Sequence, residues 1–303
     1  MNNRPTEGDY LMVRVALCLL LGGALSVQAA APFVETPAQR GKRFLLTRSY
    51  NPSAMAPNAY ENAWKHWGER EQPAPEQYPA RFRERYGLHP APYPNDGLPM
   101  GLRYETRQLG PLVRKGLTFD CLVCHGGSIF GKSHVGMGNN ILDFQAIYEE
   151  LNAPPGRTAK SPFQFSRVRG TTEAGAMSVY LIGFREPNLN LRLKFTNYGL
   201  HDDLIEDAPA WWLLKKKKTM YHTGGADTRS ARSIMQFMMS PLNFPSAITR
   251  AEDDFKDILA YLKSIEAPKY PLKIDARKAA EGAELFRDNC AKCHGTYGEK
   301  WTY

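Results

Sequence analysis

The chain has 303 residues, a length that admits one large or two ordinary domains. Its net charge of +8 at pH 7 suits an acidic partner, with nucleic acid the usual alternative. Five cysteines, four of them gathered in two five-residue motifs, exclude an ordinary disulfide framework.

Residues 1–30 read as a secretory leader. Arg4 and Arg14 precede the apolar stretch Val15 to Leu21, and small residues close the segment so that cleavage falls after Ala29 or Ala30. An uncleaved anchor would need about 20 apolar residues, more than this run supplies. Cys18 lacks the small-residue context of a lipoprotein site. No later stretch is long enough to span a bilayer, so no stable membrane span is expected after the leader is removed. Arg4 and Arg14 cancel Glu7 and Asp9, and the mature chain keeps its positive charge.

Residues 31–100 carry Pro52, Pro57, Pro73, Pro75, Pro79, Pro90, Pro92, Pro94 and Pro99. This density predicts an irregular wrapping segment or linker without long helices. A short helix is expected around 58–69, with Trp64 and Trp67 as packing anchors.

Cys121-Leu122-Val123-Cys124-His125 follows, and the pattern returns at Cys290-Ala291-Lys292-Cys293-His294. Cys-x-x-Cys-His reads as covalent attachment of c-type haem. Two thiols three residues apart lie on one side of a turn and add to the two vinyl groups of one haem. The histidine after the second cysteine then supplies the proximal iron ligand. A redox dithiol, half a zinc site and a local disulfide are the other readings of Cys-x-x-Cys. Two haem c groups on Cys121, Cys124, Cys290 and Cys293, with His125 and His294 as iron ligands, are expected. Attachment outside the cytoplasm agrees with an exported, periplasmic chain, and both argue against a nucleic-acid partner.

Downstream, His134 and Met137 are the nearest candidates for a distal ligand, with ordinary loop residues as the alternative. His66, His89, His201 and His222 read as surface or structural histidines. Phe144, Ile147, Tyr148 and Leu151 recur at helical spacing over 143–151, and Pro154-Pro155 ends that helix. The stretch 179–184 reads as a short strand or a buried helical turn. Lys215–Lys218 is a solvated run or a docking patch for a small acidic redox protein. Arg229 and Arg232 are candidates for pairing with haem propionates. Thr249 reads as the cap of an amphipathic helix carrying Phe255, Ile258, Leu259, Leu262 and Ile265. Pro268 and Pro271 mark a boundary. Asp275 then caps a helix with Ala279, Ala283 and Phe286 on one face, leading into Cys290.

Gly282, Leu285-Phe286 and Cys290-x-x-Cys293-His294-Gly295 resemble the opening helix and haem loop of a class I cytochrome c domain. Nine residues follow His294, whereas such a domain needs on the order of 80–100 to enclose its haem. The C-terminal domain is therefore expected to be truncated. Two such motifs 169 residues apart (290 minus 121), with Gly126-Gly127-Ser128-Ile129, Leu142-Asp143-Phe144, Trp211-Trp212, Gly224-Gly225 and Pro268-Lys269-Tyr270-Pro271, extend the likeness. The chain resembles the bacterial dihaem cytochrome c peroxidase superfamily, closest in pattern to its rubber-oxygenase-like branch, over roughly residues 115–303.

The resemblance implies a mainly α fold with two cytochrome c-like haem domains and long irregular loops. The expected division is a leader (1–30), a proline-rich segment (31–100), a first haem domain with insert (101–270) and the start of a second (271–303). It implies an oxidoreductase whose N-terminal haem meets peroxide or dioxygen while the C-terminal haem passes electrons. Trp211 and Trp212 would lie on the electron path. A non-enzymatic electron carrier is the competing reading, although the long segment between the motifs favours an enzyme.

Overall fold

The computed structural model describes residues 34–109, 112–154, 157, 159–199, 205–221 and 223–295. The leader, Cys18, His201 and His222 lie outside the described residues. Helix outweighs strand, 41% against 13%, so the mainly α expectation holds at that coarse level. Among the described residues no helix is long and apolar enough to cross a membrane.

Helix α1 (Pro37–Thr47) starts in a capping box. The Thr36 hydroxyl accepts from Gln39 N, and the Gln39 side chain accepts from Thr36 N at 2.8 Å. Pro37 occupies the first turn, where a missing N–H costs nothing. This corrects the reading of 31–100 as irregular. Helix α2 (Ala59–Asn62) runs into a 3-10 turn at Ala63–His66, and helix α3 (Tyr78–Tyr86) again has proline in its first turn. The prolines punctuate helices here instead of preventing them. Trp67 stacks on Tyr78 with centroids 5.4 Å apart and donates from Nε1 to Tyr86 Oη at 3.0 Å, so it packs as expected.

Strands β1 (Leu102–Leu109) and β2 (Leu112–Phe119) pair antiparallel from Leu102↔Phe119 outward. This hairpin is not evident from the sequence. At its base Leu102, Arg103, Leu117 and Thr118 are all buried, so no clean alternation of apolar and polar residues marks it. Helix α4 (Leu122–His125) is a single turn, followed by the hairpin of β3 (Gly126–Ile129) and β4 (Lys132–Val135).

Helix α5 (Phe144–Leu151) begins where Asp143 accepts from Ala146 N at 3.0 Å, and it buries Phe144, Ile147 and Leu151 as its periodicity requires. Most of the ambiguous 179–184 stretch, through Ile182, belongs to helix α6 (Ala174–Ile182), and a turn follows. Helix α7 (Ala231–Ile234) precedes the long helix α8 (Pro245–Ser264). Helix α8 starts one turn before the expected cap. Thr249 lies inside it and bonds Pro245 O at 3.1 Å, while Pro245 takes the first-turn position.

Helices α1 and α8 lie in close contact. A Cβ on Gly41 would stand 1.9 Å from Asp257 O, so only glycine lets the backbones approach this far. Arg40 grips Asp257 through both carboxylate oxygens at 2.7 and 2.9 Å.

Two hydrophobic cores result. The first gathers Tyr78, Phe82, Tyr86, Leu102, Leu117, Leu142 and Ile147, so the proline-rich segment shares a core with the region after it. The second gathers Phe44, Leu45, Trp211, Leu214, Phe255, Ile258 and Leu262.

Helix α9 (Ala276–Asn289) is capped by Asp275, which accepts from Arg277 N and Lys278 N at 3.0 and 3.1 Å, as expected. It leads into the one-turn helix α10 (Ala291–His294). Helix α9 buries none of its residues, and Leu285 is 65% exposed.

Candidate functional site

The two residues between Cys121 and Cys124 plug different cores. Val123 enters the first core and Leu122, fully buried, enters the second. The Cys-x-x-Cys-His turn is thereby pinned at the seam of the molecule. Its start is held by Asp120, whose carboxylate accepts from Leu122 N at 2.8 Å. Arg103 donates to the same carboxylate at 3.1 Å, to Leu46 O at 2.9 Å and to Leu45 O at 3.4 Å. This guanidinium ties the turn to the last turn of α1. Burial raises the Asp120 carboxyl, and Arg103 opposes that rise. Gly101, at φ +94°, passes so close that a Cβ would stand 2.2 Å from Val123 Cα.

The far end of the turn is closed by the residues after β4. Gly136 N donates to His125 O at 2.8 Å, and Asn139 N donates to Cys124 O at 2.8 Å. The Asn139 carboxamide donates to Val123 O at 3.1 Å and to Gly87 O at 2.8 Å.

His125 is fixed by a segment more than eighty residues downstream. Its Nδ1 lies 3.0 Å from Pro209 O, which makes Nδ1 the protonated nitrogen and leaves Nε2 as the available lone pair. The Trp211 indole stacks on the imidazole with centroids 4.6 Å apart and planes 24° from parallel. Trp211 N donates to Gly136 O at 2.7 Å, so the same segment also grips the hairpin.

Cys121, Cys124 and His125 keep intermediate solvent contact. Burial nevertheless pushes both thiols up to about 12 and the imidazole down to about 4. Desolvation is the cause of all three shifts. Near Cys124 stands Tyr221, a bulky residue in the left-handed region at φ +62°. Its hydroxyl accepts from Gln236 Nε2 at 2.6 Å and lies 3.5 Å from Ser178 Oγ.

The other expected site residues are less concentrated. His134 sits on β4 across from Gly127. Met137 packs over the same glycine, with Cγ 2.9 Å from where a Cβ would be. Trp212 is half-buried beside its buried neighbour. Lys215–Lys218 are all exposed, and Lys215 pairs with Glu266 and donates to Ile265 O. Arg229 and Arg232 lie at the surface, where they pair with Asp227 at 2.8 Å and with Glu252 at 3.0 Å.

At the second motif Cys290 ends α9, and His294 N bonds Cys290 O at 2.9 Å. Cys293 and His294 are exposed. Ala291 and Lys292 stand where Leu122 and Val123 stand in the first motif, and neither is buried. None of these four cysteines is in a disulfide. Among the described residues no three His, Cys, Asp or Glu side chains gather as ligands for a bare ion.

Sequence reasoning missed Arg103, Asn139, Pro209 and Tyr221. All but Asn139 act on the turn from distant segments, and no local pattern announces them. Neither a family model nor a curated protein matches this chain.

Proposed function

We propose that this chain is an exported c-type cytochrome that carries haem on both Cys-x-x-Cys-His turns and works as an oxidoreductase on peroxide or dioxygen. The observation that carries the reading is the setting of His125: Nδ1 bound to Pro209 O, Trp211 against the ring, and Nε2 left over. Covalently held haem would supply an iron that changes charge by one electron. The residues suit it. Two unpaired thiols lie on one turn and keep partial solvent contact, and the neutral imidazole is the form that ligates iron.

The chain's own groups set the chemistry around that position. Pro209 O fixes the imidazole tautomer and raises its basicity. Trp211 prevents ring rotation and offers a conjugated edge for electron passage. Continuing the β3–β4 register places His134 diagonal to His125, roughly 7–8 Å away between Cα atoms. His134, across from Gly127, lies beside the turn as a candidate distal ligand; a distal position left without a protein ligand would suit an enzyme rather than a closed carrier. Met137, packed over Gly127, serves the same hairpin. The exposed Lys216–Lys218 suit a small acidic redox protein. His294, exposed on its own turn, would hold the iron of the second haem.

The test is an EPR spectrum of the oxidised protein made with cytochrome c maturation machinery. A high-spin ferric signal beside a low-spin one is expected. Two low-spin signals would favour an electron carrier, and no haem signal would overturn the reading.

A further inference from the structure

A one-turn helix leaves its last carbonyls without partners inside the helix. In α4 those belong to Val123, Cys124 and His125, the groups that aim the iron-ligand side chain. Gly136 N covers the last of them, at 2.8 Å. The other two are both covered by one residue, Asn139. Its backbone N–H takes Cys124 O at 2.8 Å and its carboxamide takes Val123 O at 3.1 Å.

Asn139 is only 1% exposed, and every remaining polar site of its side chain is used. Its second carboxamide proton goes to Gly87 O at 2.8 Å. Its Oδ1 accepts from Ile141 N at 3.2 Å and faces His89 Nε2 at 3.3 Å. Gly87 ends α3, so the carboxamide bolts the attachment turn to a helix of the first core. A buried network this complete fixes one geometry, because every alternative strands a polar group in a dry interior.

We propose that Asn139 is the positioning residue of the first haem turn, setting the orientation of His125 and with it the reduction potential at that site. The proposal rests on the haem reading given above. Asn139 makes no observed bond to the imidazole; it acts through the carbonyls on which His125 is mounted. Losing the carboxamide uncovers Val123 O beside a centre that gains positive charge on oxidation. The uncovered carbonyl dipole favours the oxidised form and lowers the potential.

The experiment is an EPR-monitored redox titration of haem-loaded N139L, nearly isosteric with the native residue, in which each haem signal is followed separately. The first site should become easier to oxidise by at least threefold in its equilibrium, roughly 28 mV at 59 mV per decade for one electron. Its g values should shift with the ligand ring. The second site should not move and serves as the internal reference. Unchanged potential and g values at the first site, even with lowered stability, would overturn the proposal. Should N139L fail to fold, N139S removes the same carboxamide at lower steric cost, and the same two outcomes decide. A native chain that carries no haem on Cys121 and Cys124 would refute the haem reading itself, a result distinguishable from a loaded but unresponsive variant.

Discussion

The imidazole of His125 and the indole of Trp211 lie nearly parallel, 4.6 Å between centroids, across 86 positions of sequence (211 minus 125). The contact joins the most chemically specific residue of the chain to one of its most buried aromatics. Trp211 is thus both a core residue and the backing of a ligand.

Replacing Trp211 by alanine should therefore have two effects. The cavity it leaves in the second core costs about 3–5 kcal/mol, read as a lower urea midpoint. The freed imidazole should also broaden the EPR signal of the first site. W212A, at a half-buried position, should cost clearly less. Equal losses for the two variants would contradict the assigned packing.

Burial holds the His125 imidazole near 4, below its ordinary 6.5. The folded chain therefore keeps this ring neutral where the unfolded chain protonates it. The associated stability is fully present above pH 6.5 and is lost as pH falls from there toward 4. Allowing for the ring's partial solvent contact, the loss should be on the order of 1–3 kcal/mol. Thermal midpoints of the haem-free chain between pH 7 and 4 measure it. H125N should flatten this slope, and a variant with the parent slope would show that His125 is not its source.

The thiols of the two motifs should react very differently in haem-free protein. Cys121 and Cys124, pushed up to about 12, hold almost no thiolate at pH 8 and are only partly open to solvent. Cys293 is exposed. Iodoacetamide followed by peptide mass spectrometry should find Cys293 modified first and Cys121 and Cys124 last. Equal rates would mean that burial does not protect the first pair.

Glycine replacements should separate close approach from idle flexibility. A Cβ on Gly138 would stand 1.7 Å from Ala208 O, so G138A must part the hairpin from the Pro209 segment and loosen His125. Gly282 in α9 has nothing within 4 Å of its added Cβ. G282A should stabilise that helix by roughly 0.5–1 kcal/mol, visible as increased helical circular dichroism. A harmless G138A would contradict the approach seen at Ala208.

The two attachment motifs were legible because their chemistry is local: two thiols and an imidazole within five residues. Asp275 was legible as a cap for the same reason, since the bonds it makes lie two and three residues away. The start of α8 was not. Phe244 stands at its cap position without a side-chain bond, so packing and Pro245 set the boundary and Thr249 drew attention one turn too late. The proline-rich segment misled because proline at a first helical turn is compatible with a helix that proline density seems to forbid. Arg103, Pro209 and Tyr221 left no trace in the sequence near Cys121. Their roles depend on which segments the two cores bring together, and that is decided by Leu122 and Val123, the positions a motif writes as x.

The placement of Leu122 and Val123 also dictates a chronology. Once both side chains are seated, the thiols flanking them are fixed in angle, only partly open to solvent and raised in pKa by burial. The folded chain, on the proposed reading, offers a maturation enzyme little thiolate and restricted access. On the proposed reading, haem must be joined to Cys121 and Cys124 while the chain is still open, and the closing of the two cores then seals it in. A chain that folds before it is loaded would be a dead end, recoverable only by unfolding.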